Sequence, residues 1–99
     1  MANKIGADEA LMTLKEWSSV TGERDAIQRT YQFSDFKKAW AFMSACALRA
    51  EQIDHHPEWF NVYGKVNVTL TTHDANGVTP LDLDLALYMD GLAKTLLAD

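Results

Sequence analysis

Cysteine is almost missing from this chain, and Cys46 alone among 99 residues leaves no intramolecular disulfide framework to build. It sits between Ala45 and Ala47 in an apolar helical pattern, where a small buried thiol is a simpler reading than a nucleophile, and it fits a reducing compartment. Positive charge is also scarce. Nine Lys and Arg stand against fourteen Asp and Glu, for a net charge of −5. A phosphate backbone is held by a local excess of basic groups, so direct DNA or RNA binding is not expected. No apolar run approaches the length that spans a bilayer, and no membrane association is expected. The amino-terminal MANKIGADEA has neither a basic segment followed by an apolar one nor an Arg-rich amphipathic pattern, so a cytoplasmic protein is the expectation. CxxC and HExxH spacings, a G-x-S-x-G elbow, a Gly-rich phosphate loop and a dinucleotide fingerprint are all missing. With them go the usual sequence grounds for a metal, a serine nucleophile or a nucleotide cofactor, and no metal and no cofactor are expected.

What remains is 47% hydrophobic and 23% charged, enough apolar material for one core and one domain over residues 1–99. Ala10, Leu11, Leu14 and Trp17 recur at helical spacing behind Asp8 and Glu9, which predicts a helix over 8–17. After the polar turn Thr21 to Asp25, Ile27, Tyr31 and Phe33 alternate around Arg29, which predicts a strand over 26–33 paired with residues 17–20. Ser34 or Asp35 can cap the next helix, in which Phe36, Ala39, Trp40, Met43, Ala47 and Ala50 form the expected core stripe. Phe33 is placed as a hydrophobic staple toward its first turn. That helix must stop before Pro57, because proline lacks an amide hydrogen and biases His56 away from helical geometry.

Residues 59–63 and 66–72 read as two strands joined at Gly64-Lys65. In the second, Val66, Val68 and Leu70 alternate with Asn67, Thr69 and Thr71, as in a half-buried antiparallel strand. Thr79-Pro80-Leu81-Asp82 is a helix start with a cap, a proline at the first position and an acid three residues after the cap. Leu85, Ala86, Met89, Leu92, Ala93 and Leu96 then line one side of the last helix. The expected fold is α+β, a four-stranded antiparallel sheet with three helices on one face, in the order α-β-β-α-β-β-α.

All three histidines fall between positions 55 and 73. A zinc site of three imidazoles is one reading, although adjacent His55 and His56 make an awkward bidentate pair. Buried structural rings are another, each of which would need a hydrogen-bond partner. Acid-base chemistry accounts for all three rings at once, because imidazole with its ordinary pKa of about 6.5 gives and accepts protons near neutrality. Glu51, four residues before His55, would share a helix face with it. His73 comes from a strand end, so a substrate between it and the His55-His56 pair would meet a donor and an acceptor on different elements. Trp59 offers either a flat face for an aromatic substrate or a ring packed at the sheet edge.

The run Glu51, His55, His56, Pro57, Glu58, Trp59, Asn61, Val62 and Tyr63, followed by Thr72, His73 and Asp74 and then by Gly77, Thr79 and Asp82, resembles the pterin-4a-carbinolamine dehydratases, also known as dimerisation cofactors of a homeodomain transcription factor. The resemblance extends from about Phe33 to Leu92. It implies a hydro-lyase that removes water from 4a-hydroxytetrahydropterin, the product left by aromatic amino acid hydroxylases, to give quinonoid dihydropterin during tetrahydropterin recycling. It further implies that His55 and His73 are the acid-base pair, that His56 and Trp59 hold the pterin, that Glu51 and Asp82 orient a histidine or the substrate, and that Pro57, Thr72 and Asp74 contact it. A homodimer or homotetramer is expected. The alternative function in the same family is a helix-binding coactivator that uses the helical surface.

Overall fold

The computed structural model describes residues 3–97, and Met1, Ala2, Ala98 and Asp99 lie outside the described residues. The elements are α1 (Ala7–Thr13), β1 (Ser18–Ser19), β2 (Ile27–Gln32), α2 (Phe36–Gln52), β3 (Glu58–Val62), β4 (Lys65–Leu70), a 3-10 turn (His73–Ala75) and α3 (Pro80–Leu97). The strands form one antiparallel sheet in the order β1-β2-β4-β3. Element order and architecture are those expected. Alternation makes β4 the centre of the sheet: Val66, Val68 and Leu70 are fully buried beneath the helices, while Lys65, Asn67 and Thr69 face outward. The turn from β3 into β4 is Tyr63-Gly64, one residue earlier than Gly64-Lys65. A Cβ on Gly64 would collide with the Phe33 carbonyl oxygen, so only glycine lets the hairpin pass this close to β2.

Asp35 is the cap of α2 and accepts a 2.8 Å hydrogen bond from the Lys38 amide. The buried stripe of this helix is Ala39, Phe42, Cys46 and Ala50. Phe36 and Trp40, expected in the core, are instead 47% and 56% exposed and stack on each other, and Ala47 is also exposed. Phe33 passes over the first turn and packs on Phe42, with ring centroids 5.1 Å apart, and on Tyr31. Helix α1 ends at Thr13, short of Trp17, whose indole turns inward and donates to Asp90 on α3 at 3.0 Å. Asp90 also accepts from Arg29 at 2.8 Å and from the Tyr31 hydroxyl at 2.5 Å. Burial, followed by the bond to Asp90, pushes the Tyr31 phenol far above its usual range, so it remains a donor at any working pH.

At the end of the sheet nearest the histidines, Asp25 joins three segments. Its carboxylate accepts the amide of Ala7 at 3.0 Å and of Val78 at 2.8 Å, while its carbonyl accepts the Thr71 hydroxyl at 2.8 Å. Gly77 permits this contact, since a Cβ there would press on the Asp25 carboxylate and on Lys4. Burial alone would raise the Asp25 pKa, but the amides of Val78 and Ala7, with Lys4 nearby, outweigh it and hold the group below its ordinary 3.8. A depressed folded-state pKa gives stability that is present above the unfolded value and is lost as pH falls through the folded one. Asp25→Ala should therefore cost about 1–3 kcal/mol at pH 7, where two amides lose their acceptor. Urea denaturation should show the gap from wild type narrowing as pH falls below the ordinary 3.8. Equal midpoints at pH 7 would remove Asp25 from this role.

Candidate active site

Helix α2 delivers two of the histidines through the way it ends. Asp54 adopts a left-handed conformation, φ 52°, and its amide bonds to the Glu51 carbonyl at 3.3 Å, while the His55 amide bonds to the Ala50 carbonyl at 3.0 Å. This is the Schellman pattern, with aspartate where glycine is commonest. It turns the chain so that His55 points inward and His56 outward. The start of α3 supplies the partner of His55. The Thr79 amide donates to Asp82 Oδ2 at 2.9 Å and the Leu81 amide donates to Thr79 Oγ1 at 3.2 Å, forming the reciprocal cap that the Thr79 to Asp82 spacing predicts. Thr72 also donates to Oδ2 at 2.7 Å. The other oxygen, Oδ1, lies 2.5 Å from His55 Nε2. Asp82 is fully buried and takes three donors, which is how a carboxylate is kept inside a core.

The three rings each face a carboxylate. His56 Nε2 lies 2.8 Å from Glu51 Oε1, and His73 Nε2 lies 3.3 Å from Glu58 Oε2. Glu51 thus pairs with His56 and not with His55, because the left-handed residue at 54 breaks the helical phase on which the expected pairing depends. Exposure grades the three: the side chain of His55 is 10% accessible, that of His56 57% and that of His73 77%. All three, with Pro57, Thr72 and Asp74, line one open depression of about 420 Å³. Asp82 and Glu51 stand behind their histidines. Trp59, expected to hold the substrate, does not line it. Its register against Val68 puts the indole on the helix-facing side of the sheet, packed against the core.

Two further residues bear on the site although the sequence assigns them no role: Glu58, which lies in the motif and lines the depression, and Arg24, which lies outside that lining and holds Glu58. Arg24 Nη1 and Nη2 donate to Glu58 Oε1 and Oε2 at 3.1 and 2.6 Å. The bond to Arg24 holds the Glu58 carboxyl below the usual carboxylate value, against a smaller opposing effect of burial and with a contribution from His73. Among the described residues, no group of three or more His, Cys, Asp or Glu side chains is placed to hold a metal ion. No helix among them is long and apolar enough to cross a membrane.

Fold and site together define a small α+β protein with a cluster of carboxylate-backed imidazoles at one end of its sheet. The chain belongs to the pterin 4 alpha carbinolamine dehydratase family, whose model matches residues 3–92. A Burkholderia multivorans protein that carries the pterin-4-alpha-carbinolamine dehydratase name is 50% identical over 96 residues, covering 94% of this chain and 93% of its own. One from Paraburkholderia xenovorans is 48% identical over 95 residues, covering 93% and 98%. The crystal structure of a transcriptional coactivator/pterin dehydratase from Brucella melitensis superposes with a TM-score of 0.83 at 52% identity, over 87% of this chain and 90% of that one. A pterin dehydratase-like protein identified as a RuBisCO assembly factor in the alpha-carboxysome shares the fold, with a TM-score of 0.67 at 23% identity, over 79% of this chain and 89% of that one.

The two kinds of carboxylate differ in what they contribute to folding. Asp82→Ala strands the Thr79 amide and the His55 ring in a buried setting, while the Thr72 hydroxyl keeps Thr79 Oγ1, and should cost on the order of 2–4 kcal/mol in chemical denaturation. Glu51→Ala removes an exposed pair and should cost no more than about 0.5 kcal/mol. Similar losses for both variants would contradict this account of Asp82.

Proposed function

We propose that the protein is a 4a-hydroxytetrahydropterin dehydratase that works by histidine acid-base catalysis. The observation that carries this reading is the convergence of three imidazoles, each backed by a carboxylate, on one open depression in a chain of this family. The reaction breaks the C4a–O bond and forms C4a=N5. The hydroxyl leaves as water after gaining a proton, and N5 gives one up. One donor and one acceptor on different sides of the ring meet both needs. His55, from the end of α2, and His73, from the turn after β4, are the residues we assign to proton transfer. Asp82 accepts the His55 Nε2 hydrogen and so leaves Nδ1 as the nitrogen free for exchange. His56, the more exposed member of the pair, is assigned to holding the pterin, with Pro57, Thr72 and Asp74 forming the walls. In a tetrahydropterin cycle such an enzyme follows an aromatic ring hydroxylation and precedes a reduction.

Stopped-flow measurement of carbinolamine decay tests this directly, and a trace unchanged by the protein would end the proposal. His55→Ala and His73→Ala should lower kcat, with KM little changed, and His56→Ala should mainly raise KM. Loss of a general acid or base is typically worth about 10²- to 10⁴-fold. This carbinolamine loses water unaided, so the observed losses should lie at or below the lower end. Folding of each variant is checked by denaturation, because His55 is buried. Full turnover in both folded His55 and His73 variants would overturn the acid-base assignment.

A protein-partner role is the second reading, supported by the coactivator name of the Brucella melitensis relative and by the exposed Phe36–Trp40 stack and Leu48 on α2. Self-association would use the same kind of surface. The outer edge of β3 is unpaired among the described residues and carries exposed Phe60 and Val62, with Tyr63 beyond. Such an edge is a template for further pairing. A dimer or tetramer is the expected state, and light scattering at micromolar concentration should give a multiple of the 11.1 kDa chain mass. A mass equal to one chain would refute self-association.

A further inference from the structure

The Arg24–Glu58 pair is unusual in what it spans. Arg24 lies in the connection between β1 and β2, whereas Glu58 opens β3 at the far edge of the sheet. Gln28, Thr69 and Glu58 stand side by side in the register of β2, β4 and β3, so the guanidinium reaches across the end of β4 to its partner. His73 emerges three residues after Leu70, the end of that same central strand. As a stabilising device the pair is weak, because the two side chains are 51% and 43% exposed and solvent screens an exposed ion pair. As a device for orientation it is specific. The planar fork engages both oxygens of Glu58, which fixes where Oε2 sits, and Oε2 is the atom 3.3 Å from His73 Nε2.

We propose that Arg24 is a positioning residue of the site, acting through Glu58: its fork fixes and neutralises the carboxylate that faces His73 Nε2, and so orients the ring. The role of His73 as a proton carrier rests on the function proposed above. A ring as exposed as His73 gains little order from packing, and an unanchored glutamate would orient it poorly. An anchored but uncompensated glutamate would favour imidazolium, which cannot act as a base. Arg24 resolves both. The other charged groups around His73 are Lys4, Glu23 and Asp25, in an adjoining depression of about 450 Å³ that shares Thr71, Thr72 and His73. On the opposite side stand Asp54, His55, His56 and Asp74.

The test is an NMR titration of the His73 ring in the intact protein, with wild type, Arg24→Gln, Arg24→Lys, Glu58→Gln and the Arg24→Gln/Glu58→Gln double variant. Loss of the guanidinium leaves Glu58 facing the ring uncompensated and should move the His73 midpoint up by roughly a few tenths of a pH unit in Arg24→Gln. Arg24→Lys, which keeps the charge, should restore most of that shift, Glu58→Gln should move the midpoint down, and in the Glu58→Gln background Arg24→Gln should lower plateau kcat no further. In dehydration assays the acid limb of kcat should move upward with the ring, with KM unchanged. A His73 midpoint that is the same in wild type and Arg24→Gln overturns the proposal, as does a further fall in plateau kcat when Arg24→Gln is added to Glu58→Gln. If Arg24→Gln does not fold, Glu58→Gln decides alone, because an unmoved midpoint there removes the coupling. The titration needs no turnover, so an inactive wild type would end the dehydratase reading while leaving the Arg24 test intact.

Discussion

The buried carboxylate of Asp82 is the constraint on which the site and the fold both depend. One oxygen completes the first turn of α3 by taking the Thr79 amide and also takes the Thr72 hydroxyl; the other takes His55. A helix start, a strand end and the chain leaving another helix are thereby fixed to a single group. A charge in this position is expensive unless both oxygens find donors. The surrounding sequence supplies three, and the consequence is that folding the C-terminal helix and orienting His55 cannot be separated. Helix packing between α2 and α3 carries this coupling, with Ala39, Phe42, Cys46 and Ala50 on one side and Leu85, Ala86, Met89 and Ala93 on the other among the buried residues.

Where local chemistry decides, the sequence is readable. Thr79-Pro80-Leu81-Asp82 predicts a capped helix, and the cap forms as read. Pro57 predicts that α2 stops before it, and the valine-polar alternation of β4 predicts which side of the sheet is buried. Where two faces compete, periodicity misleads. In α2 the stripe through Phe36, Trp40, Met43 and Ala47 and the stripe through Ala39, Phe42, Cys46 and Ala50 are both apolar at helical spacing. Size favours the first as core, but the small residues of the second let the helix approach closely, and that face is the buried one. Trp17 shows the same limit in another form, since its helical spacing from Leu14 is real while its indole is claimed by Asp90, seventy-three residues away.

The site divides along the same line. That His55, His56 and His73 converge, with Pro57, Thr72 and Asp74 beside them, follows from motif and element order together. Which carboxylate serves which ring does not. Glu51 has helical spacing to His55, but a single left-handed residue redirects the chain and gives Glu51 to His56. Arg24 and Glu58 are thirty-four residues apart and meet only because β2 and β3 flank β4, a fact of sheet order that neither segment encodes alone.

The three imidazole–carboxylate pairs are alike in composition and differ in what anchors the acid. Asp82 is fixed by a backbone amide and a hydroxyl in a buried setting, Glu58 by a side-chain fork at the surface, and Glu51 stands 79% exposed on the last turn of a helix. His55 is therefore held most firmly; His73 faces a fixed acid, at 3.3 Å and 77% exposed, whereas His56 faces a nearer one, at 2.8 Å, that is itself free. A proton carrier must be in place before the transition state forms, and any disorder there is paid for in the barrier. A group that closes on the substrate can tolerate mobility, because binding itself orders it. Under the proposed assignment, the two proton carriers, His55 and His73, are the rings whose acids are anchored, and His56, the ring assigned to contact, is the one whose acid is free.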